Sequence, residues 1–365
     1  MNKLKIDKLF LASVILLAVT GFFIFTSASL GLLARDGASF QSVALKQTIG
    51  LVLGTVAFYI MSRLNYKILK KNAFYILVGA IFINLLLFIP IFSLNHGGAS
   101  RWIDLGFITF QPSEFLKIAF IIYFAAWLSG MKEKITSFKH GPLPYIIIVG
   151  FISCLLLLQR DTDTLVVIAG TGLIMFFVAG GKIKDILIII LMGIVLLSAV
   201  IYSRPYGLDR IVTFFNRGSD AQGSGYQIQQ SLIAIGSGQI TGRGFGQSIQ
   251  KFNYLPEPIG DSIFAVSAEE FGFIGSVALI FMFLLFFIRS IKISTRCPDS
   301  FSGLTVLGIA ILILVESFMN ISSMLSLIPL TGMPLLFVSH GGTALIITLA
   351  ATGIIANISK YQKPD

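Results

Sequence analysis

Residues 303–325 read GLTVLGIAILILVESFMNISSML, and Glu316 is the single formally charged side chain in this run. A helix needs about 20 mostly apolar residues to cross the hydrocarbon core of a membrane, so this run predicts a membrane-spanning helix. Nine similar runs lie elsewhere in the chain. The ten predicted spans occupy residues 9–30, 44–62, 73–92, 113–129, 143–160, 163–180, 184–202, 263–288, 303–325 and 334–357.

The overall composition indicates the same class of protein. Of the 365 residues, 55% are hydrophobic and 12% are charged, against roughly 25% charged residues in soluble globular proteins. This composition excludes an ordinary soluble enzyme and a disordered chain. We therefore predict an all-α, polytopic membrane protein in which residues 1–365 form one transmembrane domain. The apolar N-terminus is interpreted as a retained first helix, because it is longer than the apolar region of a signal peptide.

The distribution of basic residues predicts how the ten spans are oriented. Seventeen Lys and Arg residues fall in the segments facing one side, whereas the short loops of the other side hold only Arg35, Lys46 and Arg101. Cytoplasmic loops carry an excess of Lys and Arg, so both termini are expected in the cytoplasm. The same asymmetry accounts for the net charge of +10, and no nucleic-acid partner is expected.

One connection is much longer than the others. Residues 203–262 separate the seventh and eighth spans, and the predicted topology places them outside the cell. They contain a Gln-rich amphipathic stretch at 226–236 and a Gly-rich stretch at 236–246 that includes Arg243. Because long loops in compact proteins are often functional, we interpret this extracytoplasmic loop as part of a functional site.

Charged residues at membrane depth are costly and usually functional. Glu114 and Lys117 lie in the sequence FQPSEFLK at 110–117, three residues apart, and therefore share one face of the fourth span. Glu114 has an alternative explanation as an acidic residue at a helix start. Lys117 has no topological reason to lie near the outer boundary, so we interpret it as functional.

Further acidic residues fall near the same side or within a span. Asp161 and Asp163 lie in the tight turn between the fifth and sixth spans, where a solvated hairpin is the alternative to a functional role. Asp261 directly precedes the eighth span and would equally suit the N-cap of that helix. Glu316 lies in the middle of the ninth span, where a structural hydrogen bond to a neighbouring helix is the favoured interpretation.

Taken together, these residues indicate a site for an anionic, lipid-linked substrate. Arg101, Glu114, Lys117, Asp161 and Asp261 all fall near the outer face under one topology. Basic side chains there would neutralise phosphate, and a carboxylate would accept a proton. The chain contains no P-loop, HExxH or GxSxG motif, and its three histidines are dispersed. A structural disulfide between Cys154 and Cys297 is not expected.

Several motifs resemble one known family. They are GASRWIDLG at 98–106 with FQPSEFLK at 110–117, YLPEP at 254–258 with DSIFAVSAEEFG at 261–272, and LTGMP at 330–334 with VSHGG at 338–342. In this order, and with ten spans, they resemble the SEDS family, which comprises the FtsW and RodA proteins. The likeness extends over essentially the whole chain and favours the FtsW branch.

The resemblance implies a peptidoglycan glycosyltransferase that polymerises lipid II at the outer face of the bacterial cytoplasmic membrane. It assigns catalytic roles to Asp261, as general base, and to the paired helix residues Lys117 and Glu114. Lys117 is expected to stabilise the departing pyrophosphate. The expected contacts to lipid II and to the undecaprenyl-pyrophosphate-linked glycan are made by Arg101, Asp161, Arg243, Gln111 and Ser113. A divalent cation, Mg²⁺ or Mn²⁺, is an expected cofactor.

The family further implies protein partners, namely a class B penicillin-binding protein and other membrane proteins of the divisome or elongasome. The chain departs from the family pattern at 159–164, at Ile259 and Gly260, and at His340, but at no residue assigned to catalysis. Two other functions stay open at this point. A lipid II flippase would use polar groups within the membrane, and a non-catalytic division scaffold would not need Asp261.

Overall fold

The structure is a computed structural model, and it describes residues 5–34, 40–96, 99–104, 106, 109–202, 205–216 and 223–363. Over these residues the chain folds into thirteen α-helices and one small sheet. The helices are α1 Lys8–Ser29, α2 Phe40–Arg63, α3 Tyr66–Lys71, α4 Ala73–Leu85, α5 Pro112–Met131, α6 Pro142–Leu158, α7 Thr162–Val178, α8 Ile183–Tyr202, α9 Pro205–Phe215, α10 Ser224–Ser237, α11 Ile263–Thr295, α12 Ser300–Met324 and α13 Gly342–Ser359.

The predicted all-α membrane architecture is confirmed. Within the described part of the chain, seven helices are long and apolar enough to cross a membrane, namely α1, α2, α5, α8, α11, α12 and α13. Three shorter apolar helices, Ala73–Phe88, Pro142–Leu158 and Thr162–Val178, correspond to the remaining predicted spans. Each of the ten apolar runs read from the sequence therefore contains a helix among the described residues. The predicted start of the last span is wrong, because residues 334–341 are not helical and α13 begins at Gly342.

A three-stranded antiparallel sheet precedes α5 and was not predicted from the sequence. Its strands are β1 Ser93–His96, β2 Ala99–Asp104 and β3 Thr109–Phe110, in the order β1-β2-β3. Ile103 pairs with Ser93 on one side and with Phe110 on the other. The sheet thereby carries Arg101, on the middle strand, toward the end of the bundle where α5 begins.

Two helices form the centre of the bundle. Helix α12 packs against α5, α7 and α11, and α13 packs against α2. Small residues permit the α2–α13 contact, because a Cβ on Gly54 would lie 2.6 Å from Leu349 Cδ1 and one on Gly353 would lie 2.6 Å from Phe58 O. Helix α8 lies at the periphery, with Ile189 as its one buried residue.

The segments predicted to share the cytoplasmic side meet at one end of the bundle. Arg289 donates to Asp7 at 2.5 Å, and the backbone N–H of Asp7 donates to Ser359 Oγ at 3.1 Å. Lys360 Nζ donates to the carbonyl oxygen of Ser62 at 2.5 Å. We call this end, which holds Asp7 and Ser359 near the two ends of the described chain, the terminal end. The opposite end is called the site end.

The long loop is ordered in its described part. It contains α9 and α10, and residues 239–252 pack against α11 where that helix is interrupted at Gly272. Gly272 has a φ of 65°, and a Cβ at this position would collide with the backbone N of Gly242. Glycine is required here by both the conformation and the close approach of the loop.

Candidate active site

Asp261 lies at the site end, on a segment that α12 and the residues before α13 hold in place. Asn320 Nδ2 donates to the carbonyl oxygens of Asp261, at 2.7 Å, and of Met333, at 2.8 Å. Ser339 Oγ donates to the carbonyl oxygen of Gly260 at 2.8 Å. The backbone on either side of the carboxylate is therefore fixed by buried side chains of two other elements.

The Asp261 side chain meets two charged side chains at Gly332. A Cβ placed on Gly332 would lie 3.6 Å from Asp261 Oδ2, 3.7 Å from Asp163 Oδ2 and 4.0 Å from Arg210 Nη2. Asp163 Oδ2 accepts from the backbone N–H of Gly332 at 3.0 Å and from Arg210 Nη1 at 3.4 Å. Two carboxylates and one guanidinium, from three separate elements, thus converge on one stretch of backbone.

The pKa of Asp261 is raised to about 7, from an ordinary value of 3.8, and burial is the largest cause. The negative charges of Glu257 and Asp163 contribute to this rise, whereas the guanidinium groups of Arg210 and Arg101 act against it. A carboxylate with a pKa near neutrality is a better proton acceptor than one at 3.8 and is still ionised in part at neutral pH. Its environment therefore suits a general base.

The alternative role of Asp261 as a helix cap is wrong. The N-cap residue of α11 is Ser262, and no side chain forms the capping hydrogen bond there. Ser262 Oγ instead accepts from Gln227 Nε2 of α10 at 2.9 Å. The carboxylate of Asp261 is thus not committed to the backbone of the helix that follows it.

Asp161 does not lie in a solvated hairpin, because only 2% of its surface is exposed. It is the N-cap of α7, where Oδ1 accepts from the backbone N–H of Thr164 at 3.5 Å. Arg101 Nη1 lies 3.9 Å from the same oxygen, and the Arg101 guanidinium also donates to the carbonyl oxygen of Arg160. Arg101 therefore bridges the sheet to the turn before α7, and its side chain is 20% exposed.

Lys117 and Glu114 are paired as predicted, but they lie inside the bundle. Lys117 Nζ donates to Glu114 Oε1 at 2.9 Å and to Glu316 Oε2 of α12 at 2.6 Å. The exposed fractions of the Lys117, Glu114 and Glu316 side chains are 2%, 3% and 0%. Glu316 thus makes the bond to a neighbouring helix that its position in the sequence suggested. We name these three residues the Lys117 triad.

The remaining predicted contact residues lie at other places. Gln111 Nε2 donates to Ser113 Oγ at 3.1 Å at the start of α5, and Ser113 is buried. Arg243 Nε lies 3.3 Å from Glu269 Oε1, and its side chain is 39% exposed. Arg243 therefore belongs to the contact between the long loop and α11. The contact roles of these three residues stay predictions.

Asp163, Arg210 and Glu257 were not assigned to the site from the sequence. Asp163 was noted only as a member of an acidic turn. Arg210 lies on α9, a helix with strongly segregated polar and apolar faces, and carries no motif that would mark it. Glu257 adopts a φ of 46° in the segment before Asp261. A strained backbone beside a charged residue is visible only in three dimensions.

Ten apolar helices, with an acid–base cluster at one end of their bundle, define a polytopic membrane protein whose site is suited to proton transfer and to an anionic substrate. A family model described as "cell cycle protein", for the FtsW, RodA and SpoVE proteins, matches residues 7–364. The chain belongs to this family.

Relatives of known name match over most of their length. Stage V sporulation protein E of Bacillus subtilis (strain 168) is 36% identical over 88% of this chain and 87% of its own. The probable peptidoglycan glycosyltransferase FtsW of Geobacter sp. (strain M18) is 35% identical over 98% of this chain and 97% of its own.

Two solved structures share the fold. One is a chain of a peptidoglycan synthase complex that coordinates polymerization and crosslinking, with a TM-score of 0.79 at 24% identity over 98% of this chain and 99% of that chain. The other is the rod shape determining protein RodA of Thermus thermophilus, with a TM-score of 0.72 at 24% identity over all of both chains.

Proposed function

We propose that this protein is a peptidoglycan glycosyltransferase that polymerises lipid II at the outer face of the bacterial cytoplasmic membrane. The observation that carries the proposal is Asp261, a fixed carboxylate with a pKa of about 7 beside Arg210 and Arg101. The named FtsW relatives support the reaction class, since they match nearly the whole chain.

Asp261 acts as the general base in the proposed reaction. It takes the proton from the 4-hydroxyl group of the acceptor sugar while that oxygen forms a bond to the anomeric carbon of the donor. The bond from the anomeric carbon to the undecaprenyl pyrophosphate breaks, and the electron pair leaves with the pyrophosphate. General base catalysis of this kind contributes typically 10²–10⁴-fold.

Arg101 and Arg210 stabilise the negative charge that develops on the departing pyrophosphate. Both act electrostatically on Asp261 and are partly exposed, at 20% and 19% of their side chains. Fixed cations lower the barrier when they bind the transition state better than the ground state. Lys117, at 2% exposure, supports the start of α5 from within the bundle, so Arg210 takes the phosphate-binding role that the sequence assigned to Lys117.

A divalent cation, Mg²⁺ or Mn²⁺, is proposed to enter with the substrate. Among the described residues, no group of three His, Cys, Asp or Glu side chains is arranged to hold a metal ion. Mg²⁺ is commonly bound by one or two carboxylates together with substrate phosphates, so the residues present do not fit a cation held by protein ligands alone. Loss of polymerisation with EDTA, restored by Mg²⁺ or Mn²⁺, is the expected result.

The proposed protein partner is a class B penicillin-binding protein, a transpeptidase with one membrane helix. Support comes from the solved complex that shares the fold and couples polymerization to crosslinking. Co-purification with the cognate transpeptidase, and stimulation of polymerisation by it, are the expected results. The proposed orientation, with both termini cytoplasmic, predicts that an impermeant thiol reagent does not label Cys297 in intact cells.

The function is tested by lipid II polymerisation in detergent, which separates a polymerase from a flippase because flipping needs a sealed membrane. Asp261→Asn keeps the size of the side chain but cannot accept a proton. We expect it to lose at least about 100-fold in rate. The matched control is Asp299→Asn at the N-cap of α12, where Asn is an equally good cap and activity is retained. An Asp261→Asn protein with near wild-type rate would remove the base assignment.

A further inference from the structure

The Lys117 triad contains two carboxylates and one ammonium group, all three of them buried. Lys117 Nζ lies 2.9 Å from Glu114 Oε1 and 2.6 Å from Glu316 Oε2. If all three groups were ionised, the triad would carry a net charge of −1 inside the bundle. An uncompensated buried charge costs several kcal/mol, so either a further cation or a proton must balance it.

The described residues supply no further cation to these carboxylates. Apart from Lys117, no basic side chain among them forms an ion pair with Glu114 or Glu316. The next charged group that acts on Glu316 is Asp161, which adds negative charge. Asp161 is 2% exposed, and its contact with Arg101 is made through Oδ1. A proton is therefore the available compensation.

The hydrogen bonds indicate which carboxylate holds the proton. Glu316 Oε1 is buried and has no hydrogen-bond partner among the residues that the structure describes, and the same is true of Asp161 Oδ2. Glu114 lies in the first turn of α5, where the helix dipole favours its negative charge. Glu316 lies within α12, far from either helix end, and its side chain is 0% exposed. Glu316 has less to stabilise its ionised form than Glu114 has.

We propose that Glu316 is a neutral carboxylic acid at neutral pH and that it is a positioning residue for Lys117. Glu114 and Lys117 then form the charged pair, and Glu316 Oε2 accepts one hydrogen bond from the ammonium group without competing for its charge. The proton on Glu316 also removes the electrostatic repulsion between Glu316 and Asp161. Two carboxylates that share one site commonly ionise one at a time.

Infrared difference spectroscopy of the purified full-length protein tests this assignment directly. A buried carboxylic acid has a C=O stretching band distinct from the bands of carboxylates. We expect the spectrum of wild type minus Glu316→Gln to contain this acid band at neutral pH. The matched control is Glu270→Gln on α11, because Glu270 is equally buried but forms an ion pair with Lys251 at 2.6 Å. Its difference spectrum should contain carboxylate bands only.

The conservative variants give a second readout. Glu316→Gln keeps a neutral hydrogen-bond acceptor for Lys117, so its melting temperature in detergent is expected to match wild type. Glu316→Ala removes the acceptor and should melt lower than Glu316→Gln, whereas Glu270→Gln removes a needed charge and should melt well below wild type. The proposal would be overturned by a Glu316→Gln protein that fails to fold or melts as low as Glu270→Gln. It would also be overturned by a spectrum of wild type minus Glu316→Gln that lacks the acid band.

The expected effect of Glu316 variants on polymerisation rests on the proposed function, whereas the protonation of Glu316 does not. In the polymerisation assay, Glu316→Gln should retain the activity that Glu316→Ala loses. If wild type shows the acid band but polymerises no lipid II, the proposed function fails and the protonation of Glu316 stands. If wild type polymerises lipid II but shows no acid band, only the protonation of Glu316 is wrong.

Discussion

Among the described residues, two lysines are buried inside this bundle, and their surroundings differ in charge. Lys251, in the long loop, is 0% exposed and donates to Glu270 Oε1 at 2.6 Å and to Ser27 Oγ at 3.3 Å. Next to it, Glu269 faces Arg243 at 3.3 Å. Two acids and two bases therefore balance, and we call these four residues the loop anchor. In the Lys117 triad, two acids share one base.

The hydrogen bonds differ in the same way. In the loop anchor every carboxylate oxygen accepts at least one bond, from Lys251, Ser27, Ser248, Arg243 and the backbone N–H groups of 248–250. In the Lys117 triad one oxygen of Glu316 accepts none. A network that is electrically neutral and fully hydrogen-bonded holds a segment in place, as the loop anchor does for the loop that leads to Asp261. The Lys117 triad has one more acid than base, so it needs a proton, and it lies beside the proposed active site.

The largest effect is expected from removing either ammonium group. Lys117→Met and Lys251→Met each leave an ionised carboxylate buried without its partner, which typically costs about 3–5 kcal/mol. Denaturant unfolding in detergent measures the loss. Second substitutions then extend the comparison. Glu270→Gln should restore stability to the Lys251→Met variant. Glu114→Gln should restore more stability to the Lys117→Met variant than Glu316→Gln does. Better rescue by Glu316→Gln would mean that Glu316 is the ionised partner.

A smaller effect is expected from Ser27→Ala in α1. The hydroxyl group donates to Glu270 Oε2 at 2.5 Å and accepts from the backbone N–H of Gly246 at 3.0 Å. Its removal leaves a buried carboxylate oxygen without a donor, which costs roughly 1–3 kcal/mol. Ser13→Ala in the same helix is the control, because its hydroxyl bonds only its own helix. Equal losses in the two variants would contradict the role of the loop anchor.

The titration of Asp261, whose pKa is also raised, should be visible in the pH profile. Because the base must be ionised, polymerisation is expected to rise as the pH increases through about 7, the pKa of Asp261. The charge of Asp163 raises that pKa, so Asp163→Asn should move the midpoint to lower pH by up to about one unit. The midpoint is read from kcat/KM, independently of any loss in maximal rate. An unchanged midpoint would show that the charge of Asp163 does not act on the pKa of Asp261.

The smallest effect is expected at the terminal end. Tyr66 Oη donates to Asp299 Oδ2 at 2.8 Å, and Tyr66→Phe removes this bond while keeping the ring. A loss of about 0.5–1.5 kcal/mol in stability is expected. Lipid II polymerisation per folded molecule should be unchanged, because the contact lies at the opposite end from Asp261. A large loss of activity would show that the two ends are coupled.

Much of the fold could be predicted because its cause is local. Each of the ten apolar runs contains a helix among the described residues, since a backbone in lipid must satisfy its hydrogen bonds within one segment. The sheet around Arg101 was missed, because its pairing of Ile103 with Phe110 depends on a contact outside any apolar run. The folded arrangement of the long loop was also not predicted, because it depends on contacts with Glu269 and Glu270 of α11.

The sequence by itself determined the class of protein, the number of apolar helices and the pairing of Glu114 with Lys117. These follow from composition and helix periodicity, which act over a few residues, whereas the catalytic role of Asp261 stays a prediction from the family resemblance. Only the tertiary structure decided that Asp163 and Arg210 meet Asp261 at Gly332, and that Glu316 shares Lys117 with Glu114. The energy of a buried charge depends on groups brought from distant parts of the chain, and no local pattern records them.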